Sequence, residues 1–271
     1  MNIDFSNLET QGYIVIPNFL SIEEIDMFIT DKNTSTRLFN SFHSIPMPSK
    51  TILEKISPKV LDLMNQIGDN TSIKTNVISM LSLYMDTSNF QMPWHQDHVS
   101  WYIDQHHDNY LNFYISIIKP NSNLSGLSLI PYDVIDKNFP EYKEKFLGKG
   151  AKRFFPNNNK TTVFDDETGE EYDLPINIDN VQVSPKINPG DALILRGDVI
   201  HKTQDTLTNR LSVTIRCLDG NFVVSKKKML STECKTKSSI LTSNLDLYRA
   251  VINAYGDKET MTIFELYDKW N

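Results

Sequence analysis

The stretch "NPGDALILRGDVIH", residues 188–201, indicates what kind of fold this chain adopts. Asn188-Pro189-Gly190 has turn chemistry, because Pro presets its backbone angle and Gly accepts angles that other residues avoid. The apolar run that follows, at 192–195, predicts a short buried strand. That strand leads to a histidine at position 201. We therefore expect a β core in which His201 closely follows a buried strand.

Further strands are predicted on both sides of this stretch. Short segments rich in Val, Ile, Leu and Tyr, separated by Gly, Pro, Asn or Asp, recur from about residue 73 to 218. Their even spacing is typical of a sandwich or barrel. Helical patterns flank the series: Ser21 and Glu24 have the spacing of a capping box, and Ser57-Pro58 predicts the start of a second helix. The expected fold class is mainly β with flanking helices, including C-terminal helices at about 238–270.

The strand series continues without a clear hinge, so we expect a single domain spanning residues 1–271. The main interruption is a polar segment at about 134–186, which contains "NNNK" and "DDETGEEYD". We interpret it as an inserted lid or substrate-binding segment at the barrel mouth, with a helix and a hairpin of its own. Long insertions of this kind often carry binding functions.

Composition excludes several classes of function. The net charge of −7 and the pI near 5.4 argue against nucleic-acid binding, which needs a basic surface. The sequence shows no signal-peptide pattern and no run of about 18 apolar residues. Cys217 and Cys234 fit neither a disulfide framework nor a zinc ribbon. We expect a cytoplasmic monomer or homodimer that acts on a small molecule, with no nucleic-acid or membrane partner.

A metal site is predicted by "MPWHQDHVSW", residues 92–101. On a strand, residues i and i+2 point to the same face, so His95 and Asp97 would aim an imidazole and a carboxylate at one point. His201 offers a third ligand. Two histidines and one carboxylate form the facial triad of non-haem iron(II) oxygenases, which leaves three coordination positions open.

The segment "RLSVTIR" has one polar and one apolar face, because Arg210, Ser212, Thr214 and Arg216 alternate with apolar residues. A buried guanidinium without a partner is costly, whereas an interior cavity that holds a carboxylate removes that cost. Arginine also grips a carboxylate through two parallel hydrogen bonds. Arg216 lies about 20 Å further along an extended strand. We expect it to form a salt bridge at the other end of the barrel or to hold an acidic substrate.

Several of these motifs together resemble a known family. "PWHQD", "SGLSLIP", "NPGDALILRGDVIH" and "NRLSVTIR" look like the phytanoyl-CoA dioxygenase-like branch of the iron(II)/2-oxoglutarate oxygenases. "GYIVIPNFLSIEEI" resembles that family's entry strand and helix. The resemblance covers about residues 10 to 218 and weakens in the 134–186 insertion and the C-terminal helices. It implies a double-stranded β-helix, which is a jelly-roll or cupin-like barrel.

The resemblance also implies roles for individual residues and a reaction. In that reaction 2-oxoglutarate and O₂ give succinate and CO₂ while an unactivated C–H of a small metabolite or biosynthetic intermediate is hydroxylated. Related halogenases have Gly or Ala in place of the carboxylate, so Asp97 favours oxidation over halogenation. The implied iron(II) ligands are His95, Asp97 and His201; the implied cosubstrate contacts are Arg210, Ser212 and Thr203; and Trp101 is the implied aromatic wall of the substrate pocket.

Three other interpretations stay open. The chain could be a non-catalytic sensor or accessory protein that binds a metal or a ligand on the same fold. It could also be a cupin-type metalloenzyme without 2-oxoglutarate, although such enzymes usually place more histidines at the metal and have no need of Arg210. A second metal site could form at a nearby group, but adjacent histidines on a loop are more often solvated. That group is His98, Asp104, His106, His107 and Asp108.

Overall fold

The computed structural model describes residues 3–40, 44–79, 81–86, 92–98, 105, 107, 109–204, 208–232 and 235–270. Its helices are α1 (Asn7–Thr10), α2 (Ile22–Thr34), α3 (Lys50–Asn70), α4 (Tyr132–Asn138), α5 (Lys143–Phe146), α6 (Lys226–Leu230), α7 (Lys235–Ser243), α8 (Leu245–Tyr255) and α9 (Ile263–Trp270). Its strands are β1 (Tyr13–Ile16), β2 (Leu38–Asn40), β3 (Ser44–Pro46), β4 (Val77–Ile78), β5 (Leu83–Asp86), β6 (Tyr110–Ile118), β7 (Leu127–Ile130), β8 (Lys152–Asn157), β9 (Lys160–Asp165), β10 (Glu171–Leu174), β11 (Ala192–Arg196), β12 (Ile200–Thr203), β13 (Leu211–Leu218), β14 (Val223–Ser225) and β15 (Thr260–Thr262).

The larger sheet has the strand order β1-β11-β6-β13-β4, and β5 also pairs with β13. Its pairs are antiparallel. Along β6, side chains alternate between two cores, as expected for a strand buried on both faces. Phe113 and Ile115 pack with residues of α2 and α3, such as Phe28 and Met64, whereas Tyr114 packs on the opposite face of the sheet.

A second layer of strands covers that opposite face. It contains the pair β12–β7 and the three-stranded order β10-β9-β8. His95 joins the two groups, because it forms antiparallel bridges with both Arg153 of β8 and His201 of β12. Leu193 and Leu195 of β11 pack in one core with Leu129 and Ile200 of this second layer. The mainly β fold with flanking helices is confirmed, and the space between its two layers is the barrel interior.

The helix predictions are confirmed in one case and corrected in another. Ser21 caps α2 through the predicted capping box with Glu24. The second helix does not begin at Ser57-Pro58: α3 begins at Lys50, is capped by Ser49, and contains Pro58 in its interior. Its buried stripe, which includes Ile52 and Ile56, starts well before the proline, so tertiary packing outweighs the local cost of Pro58.

The C-terminal part of the chain forms a third core. Helices α8 and α9 pack with the β14–β15 pair and against Tyr110 and Leu218, at one end of the larger sheet. Among the described residues, no helix is both long and apolar enough to cross a lipid bilayer.

Asp191 holds the turn that precedes β11. Its side chain is buried; Oδ1 accepts the backbone N–H of Asn18 at 2.8 Å and Oδ2 accepts that of Asn188 at 2.7 Å. Gly190, just before it, has φ +86°, which favours glycine. One carboxylate thus ties the start of β11 to the connection between β1 and α2.

We expect Asp191→Ala to lower the free energy of unfolding by about 2–4 kcal/mol, because two backbone N–H groups lose their acceptor at about 1–3 kcal/mol each. Asp191→Asn retains one acceptor oxygen and should lose roughly half as much. Urea unfolding followed by circular dichroism measures both variants. A loss below about 0.5 kcal/mol in Asp191→Ala would contradict this role.

Candidate metal centre

Residues 94–97, the linking segment, lie between β8 and β12 and complete the second layer. His95 and His201 exchange two backbone hydrogen bonds of 2.9 Å, and Gln96 N–H donates to the Lys152 carbonyl at 2.9 Å. Residues paired in this way face each other directly, with side chains on the same side of the sheet. Asp97 follows two residues after His95 and points to the same side.

The three predicted ligands come together in the barrel interior. They are 4% (His95), 7% (Asp97) and 6% (His201) exposed, and their ligand atoms all lie within 4.8 Å of one another. Oδ1 of Asp97 lies 3.7 Å from Nε2 of His95 and 3.8 Å from Nε2 of His201. A carboxylate oxygen and imidazole nitrogens are donor atoms that a divalent metal ion takes in such sites. Among the described residues this is the one group of three such ligands.

The second nitrogen of each imidazole is already engaged. Nδ1 of His95 donates to the Pro93 carbonyl at 2.8 Å, and Nδ1 of His201 donates to the Val199 carbonyl at 2.9 Å. We assign the proton of each ring to Nδ1, because its partner is a carbonyl oxygen, which can only accept a hydrogen bond. This assignment leaves a lone pair on each Nε2, and these atoms lie 3.7 and 3.8 Å from Oδ1 of Asp97. Backbone carbonyls that orient ligating histidines in this way are a usual feature of metal sites.

The charges in the centre also suit a cation. Burial lowers the pKa of the His201 imidazole to about 4, with a further decrease from His95, so the ring is neutral at pH 7. Burial raises the pKa of the Asp97 carboxyl, but interactions with His95, His201 and Arg216 outweigh it and hold that pKa below its usual range. A carboxylate and a neutral imidazole are the metal-binding forms. In the described part of the chain, Oδ2 of Asp97 is buried and has no hydrogen-bond partner. The donor set fits a divalent first-row metal ion.

A buried polar network supports the linking segment from behind. The Gln96 side chain donates to the carbonyls of Asp198, at 2.5 Å, and Phe146, at 2.9 Å. The Asp198 carboxylate in turn accepts hydrogen bonds from the Tyr132 hydroxyl and the Gly148 backbone N–H. Asp198 belongs to the turn between β11 and β12 that leads to His201. The two halves of the triad are therefore joined by side chains as well as by backbone.

His98 is anchored by the β8–β9 hairpin. Its Nε2 lies 2.7 Å from an oxygen of Asp166, and Arg153 donates to both oxygens of that carboxylate at 2.7 Å. The expectation that this group is solvated is therefore wrong for His98. Its ring is buried and contacts Asp166. The other members Asp104, His106 and Asp108 lie outside the described residues. His107 is described and is also buried.

The structure brings the predicted cosubstrate residues to one end of the same interior. Arg210 Nη1 donates to the Gly126 carbonyl at 3.1 Å, and its Nη2 donates to Oγ1 of Thr203 at 3.3 Å. Arg210 thereby spans from the larger sheet to the β12–β7 pair. The hydroxyl of Ser212 donates to the Met85 carbonyl at 3.3 Å. Trp101, the predicted pocket wall, lies outside the described residues.

Arg216 lies on the interior face of β13 with Ser212 and Thr214. Its Nη1 donates to the Leu81 carbonyl at 2.9 Å. Its positive charge contributes to the lowered pKa of both Asp97 and His201. The guanidinium is therefore close enough to the triad for its charge to act there.

Sequence reasoning missed the side chains that hold the triad in place. Gln96 stands between two predicted ligands, so its position was a signal, but its partners are distant in the chain. Asp198 belongs to the "RGD" at 196–198 and contacts residues of the 134–186 segment. Asp166 and Arg153 lie wholly within that segment. Their pairing with the linking segment depends on strand order, which local patterns do not reveal.

Comparison with other proteins identifies the fold. No family model matches the sequence, and no curated protein matches it. The crystal structure of the epimerase SnoN in complex with Fe³⁺, alpha ketoglutarate and nogalamycin RO has a TM-score of 0.50 and 12% identity, covering 80% of this chain and 83% of SnoN. The chain therefore has the double-stranded β-helix fold of the Fe/2-oxoglutarate oxygenases, which confirms the predicted fold class.

Two further solved structures are similar. EvdO2 from Micromonospora carbonacea var. aurantiaca, complexed with 2-oxoglutarate, has a TM-score of 0.49 and 14% identity, covering 79% of this chain and 89% of EvdO2. HygX from Streptomyces hygroscopicus, with nickel, 2-oxoglutarate and hygromycin B bound, has a TM-score of 0.47 and 15% identity, covering 81% of this chain and 87% of HygX.

The contact of Asp166 with His98 and Arg153 generates a prediction about stability. We expect Asp166→Ala to lower the free energy of unfolding by about 3 kcal/mol, because the buried His98 ring loses its hydrogen-bond partner and Arg153 loses two hydrogen bonds to a carboxylate. Asp173→Ala is a matched control: it removes a carboxylate from the same hairpin region that pairs with Lys160 at the surface, where such pairs contribute less than about 1 kcal/mol. Equal losses in the two variants, measured by urea unfolding, would refute the anchoring role.

Proposed function

We propose that this protein is an iron(II)- and 2-oxoglutarate-dependent dioxygenase that hydroxylates an unactivated C–H bond of a small metabolite or biosynthetic intermediate. We further propose that it is a single-domain member of the phytanoyl-CoA dioxygenase-like family. The observation that carries the proposal is the buried triad of His95, Asp97 and His201, with both Nε2 atoms and one carboxylate converging inside an oxygenase fold.

Each side chain of the triad has a defined task in this proposal. His95 and His201 donate neutral nitrogen ligands, and Asp97 contributes a negative charge that a buried cation needs. Bound iron(II), with 2-oxoglutarate and O₂, supplies the oxidising power for C–H cleavage. The backbone carbonyls on both Nδ1 atoms keep the imidazoles oriented before any ligand arrives.

Arg210 binds the distal carboxylate of 2-oxoglutarate in this proposal. It is buried, faces the interior, and presents a planar guanidinium suited to a carboxylate. Thr203 accepts a hydrogen bond from Arg210 and keeps it in place. Ser212 lies two residues further along the same face and adds a hydroxyl near the cosubstrate.

The shared fold supports this assignment of cofactors. The SnoN crystal structure contains Fe³⁺ and alpha ketoglutarate, so a barrel of this shape accommodates both. SnoN is an epimerase, which means that one fold serves more than one reaction. We favour hydroxylation here, and Asp97 argues against halogenation because it occupies the position where a halide would bind.

The substrate is proposed to be a small molecule that contacts Trp101 and the inserted 134–186 segment. Strand β8 of this segment and the residue before it are hydrogen-bonded along the linking segment, since Phe154 N–H donates to the Trp94 carbonyl and Ala151 N–H to that of Asp97. The insertion therefore reaches the metal ligands directly. Substitutions in the insertion would therefore change the surroundings of the triad, where the substrate is proposed to bind.

Metal binding gives the first test. We expect anaerobic titration calorimetry with Fe(II) to show one site, and Asp97→Ala to weaken binding by at least about a hundredfold, because a charged ligand is lost. Asp246→Ala, which removes an exposed carboxylate on α8, is the control and should bind as the wild type does. Unchanged affinity in Asp97→Ala would exclude this triad as the metal site.

Turnover gives the second test. Protein loaded with iron(II) should convert 2-oxoglutarate to succinate, and a true substrate from a metabolite library should raise the rate. We expect both Asp97→Ala and Arg210→Met to lower succinate formation more than about tenfold, since one loses a ligand and the other a charged contact. Arg249→Met, at an exposed arginine of α8, should have no effect.

The products of that assay separate the competing functions. One oxygen atom from O₂ in the product indicates hydroxylation, whereas unchanged composition with an inverted stereocentre indicates epimerisation. No succinate and no 2-oxoglutarate binding, despite tight metal binding, would instead favour the non-catalytic sensor or accessory protein.

A further inference from the structure

Two buried cations meet at Gly126, at one end of the barrel interior. Lys119 is 6% exposed and Arg210 is 3% exposed. Arg210 Nη1 donates to the Gly126 carbonyl at 3.1 Å, and a methyl group built on Gly126 would lie 3.2 Å from Nζ of Lys119. Both cationic groups therefore lie against the same glycine.

The register of two strands explains why they meet. Lys119 directly follows β6 and Arg210 directly precedes β13. These strands are antiparallel, and Ile118 is paired with Leu211. Lys119 and Arg210 are the next residues beyond this pair, so the register brings them to neighbouring positions at the end of the ladder. Side chains that neighbour each other across two strands are close enough to share one ligand.

A bulge turns Lys119 into the barrel. Ser116 pairs with Ser212 on the interior face, but the next pair is Ile118 with Leu211, so one residue of β6 is extra. Ile117 and Ile118 both pack toward the core under α2 and α3, which breaks the alternation. Regular alternation would have pointed Lys119 away from the interior. Bulges often redirect a side chain next to an active site.

Two buried cations that border one space suit an anion there. A carboxylate placed in that space would accept a hydrogen bond from each cation. Gly126 leaves the necessary space, since any side chain at this position would occupy it. The amide oxygen of Gln204, 3.2 Å from the same methyl position and bonded to Gly126 N–H at 3.0 Å, borders the space on another side.

We propose that Lys119 is a second cationic contact for the distal carboxylate of 2-oxoglutarate, and that with Arg210 it makes the site selective for a 2-oxo diacid over a 2-oxo monoacid. This inference rests on the proposed function, because it assigns a further residue to the same cosubstrate site. Lys119 positions the cosubstrate and takes no part in the chemistry at the metal.

Calorimetry of anaerobic protein loaded with Mn(II), which does not turn over, tests the proposal. The two probes are 2-oxoglutarate and 2-oxovalerate, which has the same chain length and no distal carboxylate. We expect Lys119→Met to weaken 2-oxoglutarate binding by about tenfold to a hundredfold, as for loss of a hydrogen bond to a charged group, and to change 2-oxovalerate binding less than twofold.

Three further variants sharpen the test. Lys119→Arg keeps the charge and should restore 2-oxoglutarate binding to within a few-fold of the wild type. Gly126→Ala fills the space between the cations and should weaken binding of the diacid selectively. Lys160→Met removes an exposed lysine from the β9 strand and should change neither affinity.

The outcomes separate this inference from the proposed function. If wild-type protein binds the diacid tightly and Lys119→Met binds it equally well, Lys119 has no role in the cosubstrate site. If Lys119→Met weakens the binding of both acids to the same extent, the lysine supports only the local fold, and the inference is also overturned. If the wild type binds neither acid while binding the metal, the proposed function itself fails and the inference fails with it.

Discussion

The two backbone hydrogen bonds between His95 and His201 are the constraint on which the centre depends. They set the imidazoles side by side, with ring centroids 4.3 Å apart, and the alternation of the linking segment then adds Asp97. A slip of one residue in this register would place the two histidines on opposite faces of the sheet. The geometry of the triad is thus a consequence of strand pairing, and the stability of the sheet preorganises it.

The polar groups around this pairing are unevenly satisfied. Backbone carbonyls engage the Nδ1 atom of each histidine, and Asp198 and Asp166 each accept several hydrogen bonds from the surrounding strands and turns. Within the described residues, Oδ2 of Asp97 and Oε1 of the adjacent Gln96 are both buried without a hydrogen-bond partner. An unsatisfied buried acceptor is costly, and the Asp97 oxygen lies among the three converging side chains, so a ligand bound there would remove that cost.

What the sequence could predict depended on local rules. The capping box of α2 involves residues three apart, and the triad required only strand alternation and a recognisable turn. The predicted start of α3 was wrong because Ser57-Pro58 has the same local chemistry as a true helix start. The buried apolar stripe that decides where the helix begins starts earlier in the chain. The contact of β8 with the linking segment joins residues far apart in the chain, and no periodicity encodes it.

The net charge of the chain does not predict the charges inside the barrel. The chain carries a net charge of −7, yet Lys119, Arg210 and Arg216 are all buried. Surface charges are screened over about 8 Å at physiological salt, whereas charges within low-dielectric walls act strongly on whatever enters between them. The net negative charge bears on the expectation that nucleic acid is not a partner, because a polyanion would have to approach the whole surface. It places no such restriction on a small carboxylate, because that ligand meets the interior cations at short range.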